Sequence, residues 1–172
     1  MANDANVTYT VEGVTTAIKT LRKMDKELAK EYRGLMRAAA APLQREARSL
    51  VPSQAPLTNW GQWKGGWSNK ARTGIRTKIN TGGKKYRVGV IEVQQTNAAG
   101  AIFDMAGRAF PNGRGTEGAA RGAEMVARLN RHFGRGSRSM WPAAEKELPK
   151  VIAQVEKVVD QMSQTLNREL KA

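Results

Sequence analysis

The chain has 172 residues, enough for one domain with a sizeable core, and a formal net charge of +14. It contains no Cys and a single His, which excludes disulfides, thiolate metal sites, cysteine nucleophiles and histidine clusters. The excess charge is segregated. Residues 1–50 carry 9 Lys and Arg against 6 Asp and Glu, residues 141–172 carry 5 against 5, and residues 51–140 carry 15 against 4. A field of one sign confined to the middle implies a polyanionic partner, whereas evenly spread charge implies only solubility.

The first six residues, Met1-Ala-Asn-Asp-Ala-Asn, lack the basic and apolar regions of a signal peptide. No apolar run approaches the roughly 18 residues of a membrane span. A cytoplasmic protein, or part of a particle assembled there, is expected. Val7-Thr-Tyr-Thr-Val11 alternates with period two and predicts a short strand, after which Gly13 breaks the chain. From Val14 the spacing becomes helical: Val14, Ile18, Leu21, Leu28, Tyr32, Leu35, Ala39, Leu43, Ala47 and Leu50 share one stripe. Pro42 removes a donor inside this pattern and predicts a kink or break near residues 38–41. Val51-Pro52 ends the helix. Unbroken, residues 14–50 would span about 55 Å at about 1.5 Å per residue, longer than a compact domain of this size needs.

Residues 53–71 predict a Gly-rich loop that carries Trp60, Trp63 and Trp67. Ile75, Thr77 and Ile79 alternate, as do Tyr86, Val88 and Val90, with Gly82-Gly83 between them. That pattern predicts a hairpin over 72–94, with strands at about 72–80 and 84–94. Short helices are expected at 98–109 and 117–133, the second burying Ala119, Ala123, Val126, Leu129 and Phe133. Basic loops follow each: Pro111-Asn-Gly-Arg-Gly115 and Gly134-Arg-Gly-Ser-Arg138. A helix over 139–172 closes the chain, with Ser139 as its cap, Pro142 in its first turn and Pro149 as a kink or restart. Its apolar stripe is Val151, Val155, Val158, Met162, Leu166 and Leu170. The whole reads as one α+β domain: a small antiparallel sheet packed by a long N-terminal helix and a C-terminal helix.

No catalytic constellation emerges. His132 lies among Arg128, Arg131 and Arg135, a setting that disfavours the imidazolium a Ser-His-Asp triad must form. The acids of the basic centre, Glu92, Asp104, Glu117 and Glu124, do not match a metal-nuclease pattern. Gly82-Gly83-Lys84-Lys85 lacks the spacing of a phosphate-binding loop. No catalytic residue, metal or cofactor is therefore assigned. The tryptophans admit two readings: stacking on single-stranded bases, or packing on the chain's own core or a neighbouring subunit. The second is favoured, because their spacing is irregular. Lys84, Lys85, Arg114, Arg135 and Arg138 sit on loops or a turn and suit contact with phosphates or acidic neighbours without reading sequence.

The order of these segments resembles the neck, or tail-completion, family of long-tailed bacteriophages. The segments that carry it are Ala47-Arg48-Ser-Leu-Val51-Pro52 at the end of the long helix, Thr73-Gly-Ile-Arg-Thr-Lys-Ile79, and the strand Tyr86-Arg-Val-Gly-Val90. The small-residue and aromatic segment Ala98-Ala-Gly-Ala-Ile-Phe-Asp-Met-Ala-Gly107 and the element Met140-Trp-Pro-Ala-Ala144 complete it. Where the family often has a Glu-x-Gly-Thr element, this chain has Asp104-Met-Ala-Gly107, and the Trp-rich loop looks like an insertion.

The resemblance implies a non-enzymatic virion protein, assembled in the host cytoplasm. Its copies would form a six-fold homo-oligomeric ring between the head connector or head-closure proteins and the tail tube or tail terminator. Double-stranded DNA would pass through the lumen without sequence-specific contact, and no membrane is involved. Amphipathic helices too long for one small core suit the repeated heterologous contacts of such a ring. On this reading Lys84, Lys85, Arg114, Arg135 and Arg138 face DNA or acidic neighbours, and Trp60, Trp63 and Trp67 anchor subunit or partner contacts. The rival within the class is a tail terminator capping the tail tube. The rival from another class is a free basic nucleic-acid-binding protein.

Overall fold

A computed structural model describes residues 6–9, 26–62, 66–79, 91–108 and 119–169. Its elements in chain order are β1 (Asn6–Tyr9), α1 (Lys26–Ala39), α2 (Ala41–Ser49), α3 (Lys70–Thr73), β2 (Ile75–Ile79), β3 (Ile91–Gln95), α4 (Ala98–Met105), α5 (Ala119–Phe133) and α6 (Met140–Glu169). The strands form one antiparallel sheet in the order β1-β3-β2. Helices α1, α2 and α6 pack beside it, so the α+β architecture read from the sequence holds.

The sheet register separates its two faces. Val7 pairs with Val93 and Thr77 with Val93, whereas Thr8 and Lys78 both pair with Glu92. Ile75, Ile91 and Val93 are buried, while Arg76 and Lys78 are exposed. One face therefore meets the helices and the other meets solvent, as expected of a half-buried antiparallel sheet. Among the described residues one side of β2 has no strand beside it, and α2 covers part of it. The Ile75 carbonyl accepts from Gln44 Nε2 at 2.9 Å and from Arg48 Nε and Nη2 at 3.0 and 2.7 Å.

The long helix breaks where Pro42 predicts. Helix α1 ends at Ala39 and α2 begins at Ala41, with Pro42 in its first turn. Pro42 has no N–H to give the Ala38 carbonyl, but bonds continue across the joint: Ala40 N donates to Met36 O at 3.3 Å and Gln44 N to Ala40 O at 3.2 Å. Ala29, Tyr32, Met36, Ala39, Leu43 and Ala47 are buried, so the apolar stripe runs through the joint. Leu50 departs from it, remaining 38% exposed while Val51 turns inward at 2%.

Helix α6 runs antiparallel to α1 and α2. Tyr32 Oη donates to Thr165 Oγ1 at 3.0 Å near one end, and Lys146 Nζ meets Glu46 Oε1 at 2.8 Å near the other. Val151, Val155, Val158 and Met162 form the buried stripe. Of the two outcomes expected at Pro149, a kink or a restart, the restart does not occur: α6 passes through Pro149 as one helix of 30 residues. One lost backbone bond is offset here by apolar packing along the α1–α2 layer.

The segment expected to open the hairpin as strand is instead the single turn α3, whose backbone bonds Thr73 N to Asn69 O and Gly74 N to Lys70 O. Buried Gln95 explains that geometry. Its Nε2 donates to Ala71 O at 2.7 Å and its Oε1 accepts from Asn97 N at 2.9 Å. Gly74 and Gly100 flank this amide. A Cβ at Gly74 would lie 2.6 Å from Gln95 Oε1, and one at Gly100 would collide with Gln95 Nε2. Helix α4 stops at Met105, short of the expected 109: Ala106 leaves helical geometry at ψ 125°, and Gly107 at φ +81° completes a turn in which Arg108 N donates to Met105 O at 3.0 Å. The expected strand at 84–94 is seen as Ile91–Gln95. The Gly82-Gly83 turn, the helical stripe from Val14 to Leu21 and the loop of Arg114 lie outside the described residues.

Candidate functional site: a buried arginine hub beneath an exposed arginine cluster

The chemistry-bearing residues of the centre converge where α4 ends, α5 ends and α6 begins. Asp104 arises in the apolar run Ile102-Phe103-Asp104-Met105 and is 1% exposed. Its Oδ1 accepts from Ser139 N at 2.6 Å, Ser139 Oγ at 2.6 Å and Met140 N at 3.1 Å. These are the orphan donors at the start of α6, so a carboxylate from another helix supplies the cap, and its charge suits the positive end of the helix dipole. Ser139 does stand at the cap position as the sequence suggested, but its hydroxyl donates to Asp104.

Arg138, adjacent to that cap, points inward. Its Nη1 donates to Phe103 O at 2.5 Å and Ala106 O at 3.1 Å, its Nη2 to Asn130 Oδ1 at 2.7 Å, and its Nε to Gly134 O at 2.9 Å. The guanidinium also lies 5.8 Å from the Phe103 ring centroid. Burial pushes it below the ordinary arginine range, and the negative charge of Asp104 works in the opposite direction. It remains a cation at neutral pH.

This corrects one reading of the sequence. Arg138 is 6% exposed and each of its three guanidinium nitrogens donates to the chain's own acceptors, so it is not placed to meet a phosphate. The physical reason is the position of its neighbours. Ser137 takes a φ of +72°, and both Ser137 N and Arg138 N donate to Asp104 O, folding the loop back onto α4. Arg135, two residues past α5, is exposed as expected. Lys84, Lys85 and Arg114 lie outside the described residues.

Of the two packing places expected for the tryptophans, the chain's own core or a neighbouring subunit, Trp60 and Trp67 take the first. Trp60 and Trp67 are 6% and 7% exposed and belong to the chain's own core. Trp67 N donates to Trp60 O at 2.8 Å, and their ring centroids are 5.4 Å apart. Trp67 meets Phe103 at 5.5 Å, and Phe103 meets Phe133 at 5.3 Å. Within the chain these two rings bind the loop to α4, which uses their buried surface internally and leaves little for a subunit contact. Trp63 lies outside the described residues.

Two residues that sequence reading passed over complete the picture. Arg108 and Arg131 are exposed, and the Arg108 backbone lies against Gly136: a Cβ there would be 2.8 Å from Arg108 N. The spacing of Arg131 and Arg135 was visible in the sequence, but the approach of Arg108 is a long-range contact. Among the described residues, no group of three acidic, His or Cys side chains is placed to hold a metal ion, and no helix is long and apolar enough to cross a membrane. Comparisons with protein-family models, curated proteins and solved structures returned no match.

Proposed function

We propose that the chain is a structural protein of the phage neck, of the tail-completion type, whose copies form a ring joining the head connector to the tail around the DNA channel. One observation carries this reading. Among the described residues, four of the five segments that resemble the neck family bind one another in two pairs. Arg48, from the element closing the long helix, donates to Thr73 O and Ile75 O of the next element. Asp104, from the aromatic segment, caps the element that starts at Met140. Gly100 of that same aromatic segment packs against Gln95, which in turn bonds Ala71 beside the Thr73 element. The order of short motifs along the chain thus corresponds to one set of contacts in space, which supports a shared architecture over chance spacing. In this reading the paired helices α1–α2 and α6 present the outer faces for neighbouring subunits, and the basic centre is held between them.

The test is the assembly state of the purified full-length protein, by light scattering coupled to size exclusion and by electron microscopy. The reading predicts a closed ring, with six copies as the expected order. A protein that stays monomeric across the micromolar range, and forms no ring when mixed with assembled tails or connectors, contradicts it.

A further inference from the structure

The outward side of the Arg138 hub is a cluster of arginines without an internal role. Arg131 stands in the last turn of α5, Arg135 two residues past its end, and Arg108 against Gly136, the residue after Arg135. All three are exposed. Arg131 and Arg135 form no ion pair among the described residues, and the polar partner of Arg108 is the Met105 thioether at 3.9 Å. One turn before Arg131, Arg128 pairs with Glu124 at 2.5 Å. Asp104, another acid of the chain's centre, is turned inward to cap α6.

Basic residues near a helix C-terminus often do no more than complement the helix dipole. Here that role is filled from inside. The Arg138 guanidinium takes Gly134 O and Asn130 Oδ1 at the end of α5, and Phe103 O and Ala106 O at the end of α4. The exposed arginines therefore neighbour, in the chain, the residues that hold a buried cation: Arg131 follows Asn130, Arg135 follows Gly134, and Arg108 lies two residues past Ala106. Among the described residues no carboxylate pairs with Arg131 or Arg135, so both charges are open to an external anion. The platform is also rigid. Gly134 at φ +78° and Ser137 at φ +72° set the loop, two backbone bonds to Asp104 O pin it, and Gly136 leaves no room for a Cβ against Arg108. The backbone beneath the arginines is thus fixed before binding, and their guanidinium groups present planar donor pairs that match phosphate oxygens.

We propose that Arg108, Arg131 and Arg135 form a binding surface for the phosphate backbone of double-stranded DNA. A duplex supplies a phosphate charge about every 1.7 Å along its axis, a regular anionic array that suits several exposed arginines at once. Contact through guanidinium and phosphate alone carries no base information, so binding is indifferent to sequence. The surface deepens the neck reading, on which it rests for the source of the duplex. It differs from that reading in one respect: the isolated chain has measurable affinity for DNA.

The experiment is fluorescence anisotropy of a mixed-sequence 20-base-pair duplex with the full-length protein, between about 50 and 200 mM salt. The triple variant R108A/R131A/R135A is compared with R37A/R45A/K157A, which removes equal charge from exposed positions on α1, α2 and α6. The wild type is expected to bind with a steep negative slope of log affinity against log salt. The arginine variant should lose at least about tenfold in affinity at low salt and flatten the slope by about 2.7, at about 0.9 per phosphate contact. The control variant should change either value far less. Equal losses in both variants, or an unchanged slope in the arginine variant, overturn the proposal. So does binding of polyglutamate with the same dependence on these arginines while the duplex fails to bind, an outcome that assigns the surface to an acidic protein. Far-ultraviolet circular dichroism and thermal unfolding establish that each variant is folded. Electron microscopy of the same samples separates the two claims: rings without DNA binding overturn the surface, and DNA binding without rings overturns the neck reading.

Discussion

Asp104 and Ser139 stand 35 residues apart in the chain, yet one carboxylate oxygen of Asp104 takes both the amide and the hydroxyl of Ser139. The same oxygen takes the Met140 amide. A side chain at the end of one short helix thereby sets the first turn of the longest helix in the described structure, α6. The relationship ties the basic centre to the helical layer of α1, α2 and α6.

Replacing Asp104 by Ala removes this acceptor and leaves buried amides unpaired. The expected loss is about 3 kcal/mol of folding stability, from a lost cap together with unsatisfied donors. Asp104→Asn keeps one oxygen at the same place but loses the charge, and should cost about half as much. Urea unfolding followed by circular dichroism measures both. Equal stability of D104A and wild type would show that α6 does not depend on the cap.

Arg138→Lys keeps a positive charge but not the planar fork. A single ammonium cannot serve carbonyls on three sides together with Asn130, so stability should fall by about 2 kcal/mol. DNA affinity and its salt slope should be unchanged, because the charge is retained and the residue does not face solvent. A variant with normal stability and weakened DNA binding would instead place Arg138 at the surface.

Much of the scaffold was legible because it rests on periodicity. The break at Pro42, the buried stripe of α6 and the antiparallel pairing of β2 with β3 all follow from local spacing and one residue's missing donor. Arg138 was not legible. It reads as one more cation in a glycine-rich loop, and only the positions of Phe103, Ala106 and Asn130, brought together by folding, turn it inward. Asp104 left a weak local trace, an acid inside an apolar run, but its partners were distant. Trp60 and Trp67 were recognisable as packing residues, whereas the identity of what they pack against depended on Phe103.

Trp67→Ala should lower stability by about 3–5 kcal/mol, the usual cost of emptying a buried aromatic site. Any ring that forms from the folded fraction should have the same copy number as the wild type, since Trp67 packs on Trp60 and Phe103 of its own chain. Thermal unfolding and native mass spectrometry read the two effects separately. Unchanged stability with loss of the ring would return Trp67 to the subunit interface.

The central claim, a ring at the junction of head and tail, is tested most directly by reconstructing particles that contain this chain by electron cryo-microscopy. The account predicts density for a closed ring of copies, six by expectation, between the head connector and the tail, with α1–α2 and α6 in contact with neighbouring subunits and the DNA path through its centre. Particles whose neck density fits other chains completely, or copies of this chain found only away from that junction, contradict it.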